Sequence, residues 1–271
     1  VRAPAPAKIN LALVVGPLRE DGMHELVTVY QRLGIADRID VTPAAELHVD
    51  GFAGDTLVRG ALEALAARAG VEPRWHATIE KRLPVAAGLG GGSSDAATAL
   101  RLANDTLSEP LPPGVLHELA AGLGADVPFF LVEGPQLGTG DGTTLAALDL
   151  PQDFWVLLVL PRDAAKASTG AVYAAFDERD GARGWETRRD ALLEGLARVR
   201  RPRDFAALPL NDLARSSLTG DLVALGAFRA DVSGAGPAVY GLFHHRRDAE
   251  AAKRSLERPG GTWITAPAWY G

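Results

Sequence analysis

At 271 residues with 47% hydrophobic side chains, the chain can bury one large core or two ordinary ones. A net charge of −6 leaves no basic footprint for a nucleic-acid backbone, and the absence of cysteine excludes a disulfide framework, a thiolate metal site and a cysteine nucleophile. No stretch approaches the ~18 apolar residues of a membrane span and no leader pattern opens the chain, so the expectation is a soluble, cytoplasmic protein without a membrane partner.

In chain order, the apolar run at residues 9–15 predicts a buried strand, residues 19–24 a turn, and residues 35–41 a second strand interrupted by Asp37 and Arg38. Residues 56–68 carry apolar positions at helical spacing, with Asp55 as cap and Gly70 as stop. Residues 75–80 alternate as a strand, and a glycine-rich turn leads from it into a helix that Ser93 or Ser94 would cap. A helix over 115–123, a connecting turn over 124–127 and a strand from Pro128 through Val132 follow, while residues 136–144 read as loop. From residue 154 a second block runs strand, helix, helix, strand, strand, helix, strand. It includes an exposed charged helix over 185–199 and a turn over 233–237. The boundary between blocks falls near residue 150, giving domains of 1–150 and 151–271.

The glycine turn carries the strongest chemical signal. Gly88, Gly90, Gly91 and Gly92 precede Ser93 and Ser94 at a helix N-terminus, where main-chain N–H groups and the helix dipole favour a phosphate. A Walker A loop requires a lysine that this loop lacks, and a dinucleotide fingerprint requires glycine where Ser93 stands. Ser93 and Ser94 can cap, touch phosphate or ligate Mg²⁺.

Lys8 and Asn10 stand at i and i+2, on one face of the opening strand. Lysine is scarce here, four against twenty-four arginines, yet by itself Lys8 reads as a snorkelling or capping residue. Asp126 supplies a partner that could orient a hydroxyl and accept its proton, although alone it reads as an ordinary turn aspartate. The turn at 233–237 alone reads as a plain hairpin, and the six histidines show no metal-ligand spacing.

Taken together and in order, Pro6-Ala7-Lys8-Ile9-Asn10-Leu11, Asp21-Gly22-Met23-His24, the run from Leu83 to Ala97, Gly124-Ala125-Asp126-Val127-Pro128 and Ser233-Gly234-Ala235-Gly236 resemble the GHMP kinase superfamily over nearly the whole chain. Within it they resemble the branch whose small-molecule acceptor is a cytidine diphosphate ester of methylerythritol. The resemblance implies an α+β protein of two domains, the first like the second domain of ribosomal protein S5 and the second ferredoxin-like. It implies ATP and Mg²⁺ as cofactors. Pro84, Ala86, Ala87, Gly88, Leu89, Gly90, Gly91, Gly92, Ser93 and Ser94 would hold the nucleotide, with Lys8 and Asp126 catalytic. Asn10, His24, Tyr30, Tyr173, Gly234 and Gly236 would then serve the acceptor. Two departures stand out: Met23 replaces a common tyrosine, and Ala86 or Ala87 occupies a place where glycine is usual. Rival readings are a kinase for mevalonate, homoserine or a sugar, and a nucleotide-binding module without catalysis.

Overall fold

The structure is a computed structural model and describes residues 1–54, 57–162, 168–257 and 259–268. The predicted cap at Asp55 lies outside these residues. The chain forms two compact units interleaved in sequence. One comprises Val1–Ala7, Ile35–Ala86 and Gly90–Glu133, the other Lys8–Gly34, Ala87–Leu89 and Gly134–Gly271.

Two long strands, β1 (Arg2–Leu18) and β2 (His24–Pro43), contribute to both units. β2 runs straight through the predicted interruption at Asp37. That carboxylate is fully buried and accepts the main-chain N–H groups of Arg82 and Leu83, so its burial leaves no unsatisfied charge to break the strand. In the first unit, the end of β2 pairs antiparallel with β4 (Trp75–Glu80), and β3 (His48–Asp50) pairs parallel with β4. Three helices cover one face: α1 (Leu57–Ala69), α2 (Gly91–Asn104) and α3 (Pro113–Leu123). The core joins Ile39, Val41, Ala77 and Ile79 of the strands to Leu62, Leu65, Ala96, Leu100 and Ala120 of the helices. The many alanines on α2 let α1 approach closely.

Residues 128–131 form a 3₁₀ turn rather than the predicted strand. Four apolar residues do not distinguish the two, and Pro128 at the start pre-sets the helical φ while Phe130 N–H bonds Val127 O at 3.1 Å.

In the second unit, the first half of β2 pairs with β5 (Gln136–Gly140), which pairs with β6 (Thr144–Ala147), so residues 136–144 are not the loop their composition suggests. Gly138 explains the difference. A Cβ there would lie 2.6 Å from the Tyr30 ring, so the strand carries glycine because its neighbour's aromatic covers it. The remaining strands, β7 (Trp155–Leu160), β8 (Arg229–Val232), β9 (Val239–Phe243) and β10 (Gly261–Thr265), form an antiparallel sheet ordered β10-β7-β9-β8. That order is the ferredoxin-like one expected for the second block. On it pack α6 (Leu218–Ala224) and α7 (Arg246–Ser255), while α4 (Thr169–Glu178) and α5 (Trp185–Arg198) belong to the same unit; α6, seven residues with an internal glycine, has no predicted counterpart. Leu157, Val159, Leu222, Val232, Val239 and Ala249 fill its core. No helix among the described residues is long and apolar enough to cross a membrane.

Leu100 is fully buried at the centre of the first core. Leu100→Ala should lower the free energy of unfolding by about 2–5 kcal/mol, read from urea denaturation.

Candidate active site

The glycine loop begins where β4 ends. Ala86, Gly88 and Gly90 all adopt left-handed φ, 52°, 82° and 69°, an alternation of the kind that forms anion-binding concavities from main-chain N–H groups. Ala86 therefore carries a conformation in which glycine would be unstrained, which gives physical content to that departure from the family pattern. At Gly88 no side chain fits, since a Cβ would stand 2.1 Å from the carbonyl oxygen of Ser233.

Three consecutive loop carbonyls, Ala87 to Leu89, are engaged by donors within their own unit, the second. Ala238 N–H donates to Ala87 O at 3.0 Å, Ser233 Oγ to Gly88 O at 2.8 Å, and Lys8 N–H to Leu89 O at 2.9 Å. These bonds draw the acceptors of the loop away from an approaching anion. They also fix Lys8 and the Ser233 turn beside it.

Lys8 is buried, and its ammonium donates to Asn10 Oδ1 at 2.7 Å and lies 5.6 Å from the centre of the Tyr30 ring. Asn10 Nδ2 in turn donates to Thr28 Oγ1 at 2.7 Å, whose hydroxyl donates to Ala12 O. A Cβ on Gly234 would lie 3.5 Å from both Lys8 Nζ and Asn10 Oδ1, so Gly234 keeps this corner clear. The structure thus brings Lys8, Asn10, Gly88, Leu89 and Gly234 together. Gly236 has a positive φ of 77° in the same turn. Asn211, which carries no signal in the sequence, holds that turn: its Nδ2 donates to Val232 O and Gly234 O at 2.9 and 2.6 Å. A fully buried asparagine following a proline-leucine pair offers no period by which to find it.

His24 is buried and donates through Nε2 to Asp177 Oδ1 at 2.8 Å, with the Tyr173 ring 4.9 Å away and Phe176 edge-on at 5.8 Å. Asp177 and Phe176 extend the group beyond the predicted pair. Tyr30 is buried, with its ring against Gly138 and its hydroxyl against Gly142. Met23 is exposed at the turn, where its N–H bonds Asp21 Oδ1.

In the first unit, α2 starts at Gly91 with Gly90 as its cap, so Ser93 and Ser94 lie inside the first turns and neither caps the helix as expected. Gly90 has a φ that serine rarely adopts. Ser94 Oγ is buried and without a hydrogen-bond partner among the described residues, as is Asp95 Oδ1. An orphaned hydroxyl at a helix N-terminus fits a phosphate oxygen or a Mg²⁺ ion, either of which would satisfy it. Asp126 occupies the turn after α3, half-buried, next to Val127, which is anchored in the first core. Lys81 donates to Asp95 Oδ2 at 2.8 Å and to Asp37 Oδ2. Burial pushes the Asp95 carboxyl up to about 7 against the pull of Lys81.

The family described as GHMP kinases N terminal domain matches residues 56–134, and that described as GHMP kinases C terminal matches residues 220–261. Together with the two-domain fold, these matches define the class as GHMP kinases. Among individual relatives, a 4-diphosphocytidyl-2-C-methyl-D-erythritol kinase of Streptomyces avermitilis is 39% identical over 94% of this chain and 92% of its own. One from Chlorobium phaeobacteroides is 36% identical over 96% and 95%. A crystal structure of 4-(cytidine 5'-diphospho)-2C-methyl-D-erythritol kinase superposes with a TM-score of 0.77 at 33% identity, covering 99% of this chain and 100% of that one. Mevalonate kinase from Methanococcus jannaschii shares the fold, with a TM-score of 0.78 at 12% identity over 99% and 98%. The chain belongs to the 4-diphosphocytidyl-2-C-methyl-D-erythritol kinase family.

The raised Asp95 carboxyl makes stability depend on pH. A carboxyl whose folded pKa is raised adds stability in its protonated form, fully present below the ordinary carboxylate range and lost as pH rises through about 7. Between pH ~4 and ~8 the wild type should therefore lose roughly 2–4 kcal/mol relative to D95N, whose amide keeps an acceptor for Lys81 without titrating. Urea midpoints in magnesium-free buffer measure the difference.

Proposed function

We propose that the chain transfers the γ-phosphate of ATP to the 2-hydroxyl of 4-diphosphocytidyl-2-C-methyl-D-erythritol, a step in isoprenoid precursor synthesis in the cytoplasm. The observation that carries this reading most directly is the main-chain bond from Lys8 to Leu89, which seats a buried lysine against a phosphate-type glycine loop. The family membership supplies the acceptor.

In this reading residues 1–150 form the nucleotide domain and 151–271 the second domain. The loop from Pro84 through Ala86, Ala87, Gly88, Leu89, Gly90, Gly91 and Gly92 to Ser93 and Ser94 holds the ATP phosphates, with the α2 dipole favouring their charge. Ser93 or Ser94 would hold Mg²⁺, which when bound neutralises phosphate charge. Asp126 orients the acceptor hydroxyl and takes its proton as the oxygen bonds to phosphorus and the bridging oxygen departs with ADP. Lys8, held by Asn10 Oδ1, stabilises charge on the transferring group and positions the hydroxyl. His24, fixed by Asp177, and Tyr173 receive the cytidylyl end, with Gly234 and Gly236 admitting the acceptor closely.

Asp126→Asn and Lys8→Ala should each lower kcat by ~10²-fold or more while the far-ultraviolet circular dichroism is retained. Near-normal turnover by either folded variant removes that residue from catalysis. ADP release should depend on the diphosphocytidyl acceptor and be absent with mevalonate or homoserine. Success with mevalonate and failure with the cytidylyl ester reverses the substrate assignment.

A further inference from the structure

Three buried charged residues of the first unit, Asp37, Lys81 and Asp95, have no part in the catalytic scheme above. Asp37 is fully buried, Asp95 nearly so, and Lys81 keeps only 16% of its side chain exposed. Their connections are specific. Through Oδ1, Asp37 accepts the main-chain N–H groups of Arg82 at 2.5 Å and Leu83 at 2.7 Å, the two residues that lead into the glycine loop. Through Oδ2, it accepts from Lys81, whose ammonium also reaches Asp95 Oδ2 at 2.8 Å, one residue past the serines that end the loop. A Cβ on Gly91 would lie 3.4 Å from Lys81 Nζ and 3.5 Å from Asp37 Oδ2, so the helix start rests directly on this ion pair.

We infer that Lys81 is a positioning residue that ties the entry of the phosphate loop, through Asp37, to its exit, through Asp95, and so holds the loop in its nucleotide-binding shape. The inference rests on the reading of this loop as the ATP phosphate site. A glycine-rich segment has more conformations to lose than any other, and binding a triphosphate would have to supply that ordering unless the ends are fixed beforehand. Two carboxylates around one ammonium provide a charge-assisted tie, and burial makes it costly to leave any member unpaired. A stability role alone would be met by any core residue. Joining the two flanks of one loop through a single side chain is a more specific arrangement.

The tie acts on the phosphate loop, so its loss should be felt by the phosphates rather than by the nucleoside. Wild type, K81M, K81R and the double variant K81M/D95N are compared for KM of ATP, KM of the acceptor, kcat, and dissociation constants of AMP and of a non-hydrolysable ATP analogue. K81M should raise the KM of ATP by ~10-fold or more and weaken the ATP analogue far more than AMP, leaving the acceptor KM within ~2-fold. K81R should restore at least a third of the lost ATP affinity. K81M/D95N, which replaces one of the two carboxyl groups left without their cation, should be more stable than K81M above neutral pH and no better at binding ATP. If K81M does not fold, K81R and the double variant carry the comparison through the same ATP-to-AMP ratio. A folded K81M with wild-type ATP affinity, or one that weakens AMP and the ATP analogue equally, overturns the tie while leaving the kinase reading intact. A wild-type protein that binds no ATP analogue overturns the kinase reading, and the tie with it.

Discussion

The backbone of residues 86–90 sets the terms for the rest of the site. Left-handed φ at Ala86, Gly88 and Gly90 is a conformation that no ordinary strand-to-helix connection requires, and it persists because the carbonyls of Ala87, Gly88 and Leu89 are each taken by a donor. The same three bonds decide what else stands near the loop. One comes from Lys8, one from the Ser233 hydroxyl and one from Ala238, so the opening strand and the β8–β9 turn are fixed by the hydrogen bonds that shape the loop. The conformation of a five-residue segment and the position of a lysine some eighty residues earlier are thereby one physical fact.

Electrostatic satisfaction accounts for the polar residues that surround this backbone. Lys8, Asn10, Thr28 and the Ala12 carbonyl form a continuous chain of buried hydrogen bonds. The turn at 233–237 is held from behind by Asn211, and Arg229 satisfies the carbonyls of Phe205, Leu208 and Pro209 nearby. Such networks are rigid because breaking one bond strands a polar group away from water. Ser94 Oγ and Asp95 Oδ1 are different: they are buried and without partners among the described residues, at the helix end that the sequence marks for phosphate. Set against the satisfied networks of Lys8 and Arg229, this is the local imbalance a ligand would correct.

Much of the fold and of the site is legible in local patterns. The alternation of residues 75–80, the four glycines before Ser93 and Ser94, and the second block of strands and helices are enough to locate the glycine loop and the ferredoxin-like sheet. Local preference fails where a distant neighbour overrules it. Asp37 has the look of a strand breaker, but the N–H groups of Arg82 and Leu83, forty-five and forty-six residues away, supply its partners. Gly138 has the look of a loop residue, but Tyr30 covers it. Ser93 and Ser94 have the chemistry of caps, but Gly90 takes that role, a matter of backbone torsion that composition does not reveal.

By itself, then, the sequence determined the periodicities, the glycine loop and the ordered set of motifs that make the chain a GHMP kinase, because those depend on residues close together along the chain. Only the tertiary structure decided that Lys8 bonds to Leu89, that Asn211 braces the second glycine turn, that His24 is pinned by Asp177, and that Lys81 joins Asp37 to Asp95. Each of these is a polar contact between residues whose separation in sequence carries no period. Burial makes such a pairing specific, since a buried polar group leaves water only where the fold provides its complement.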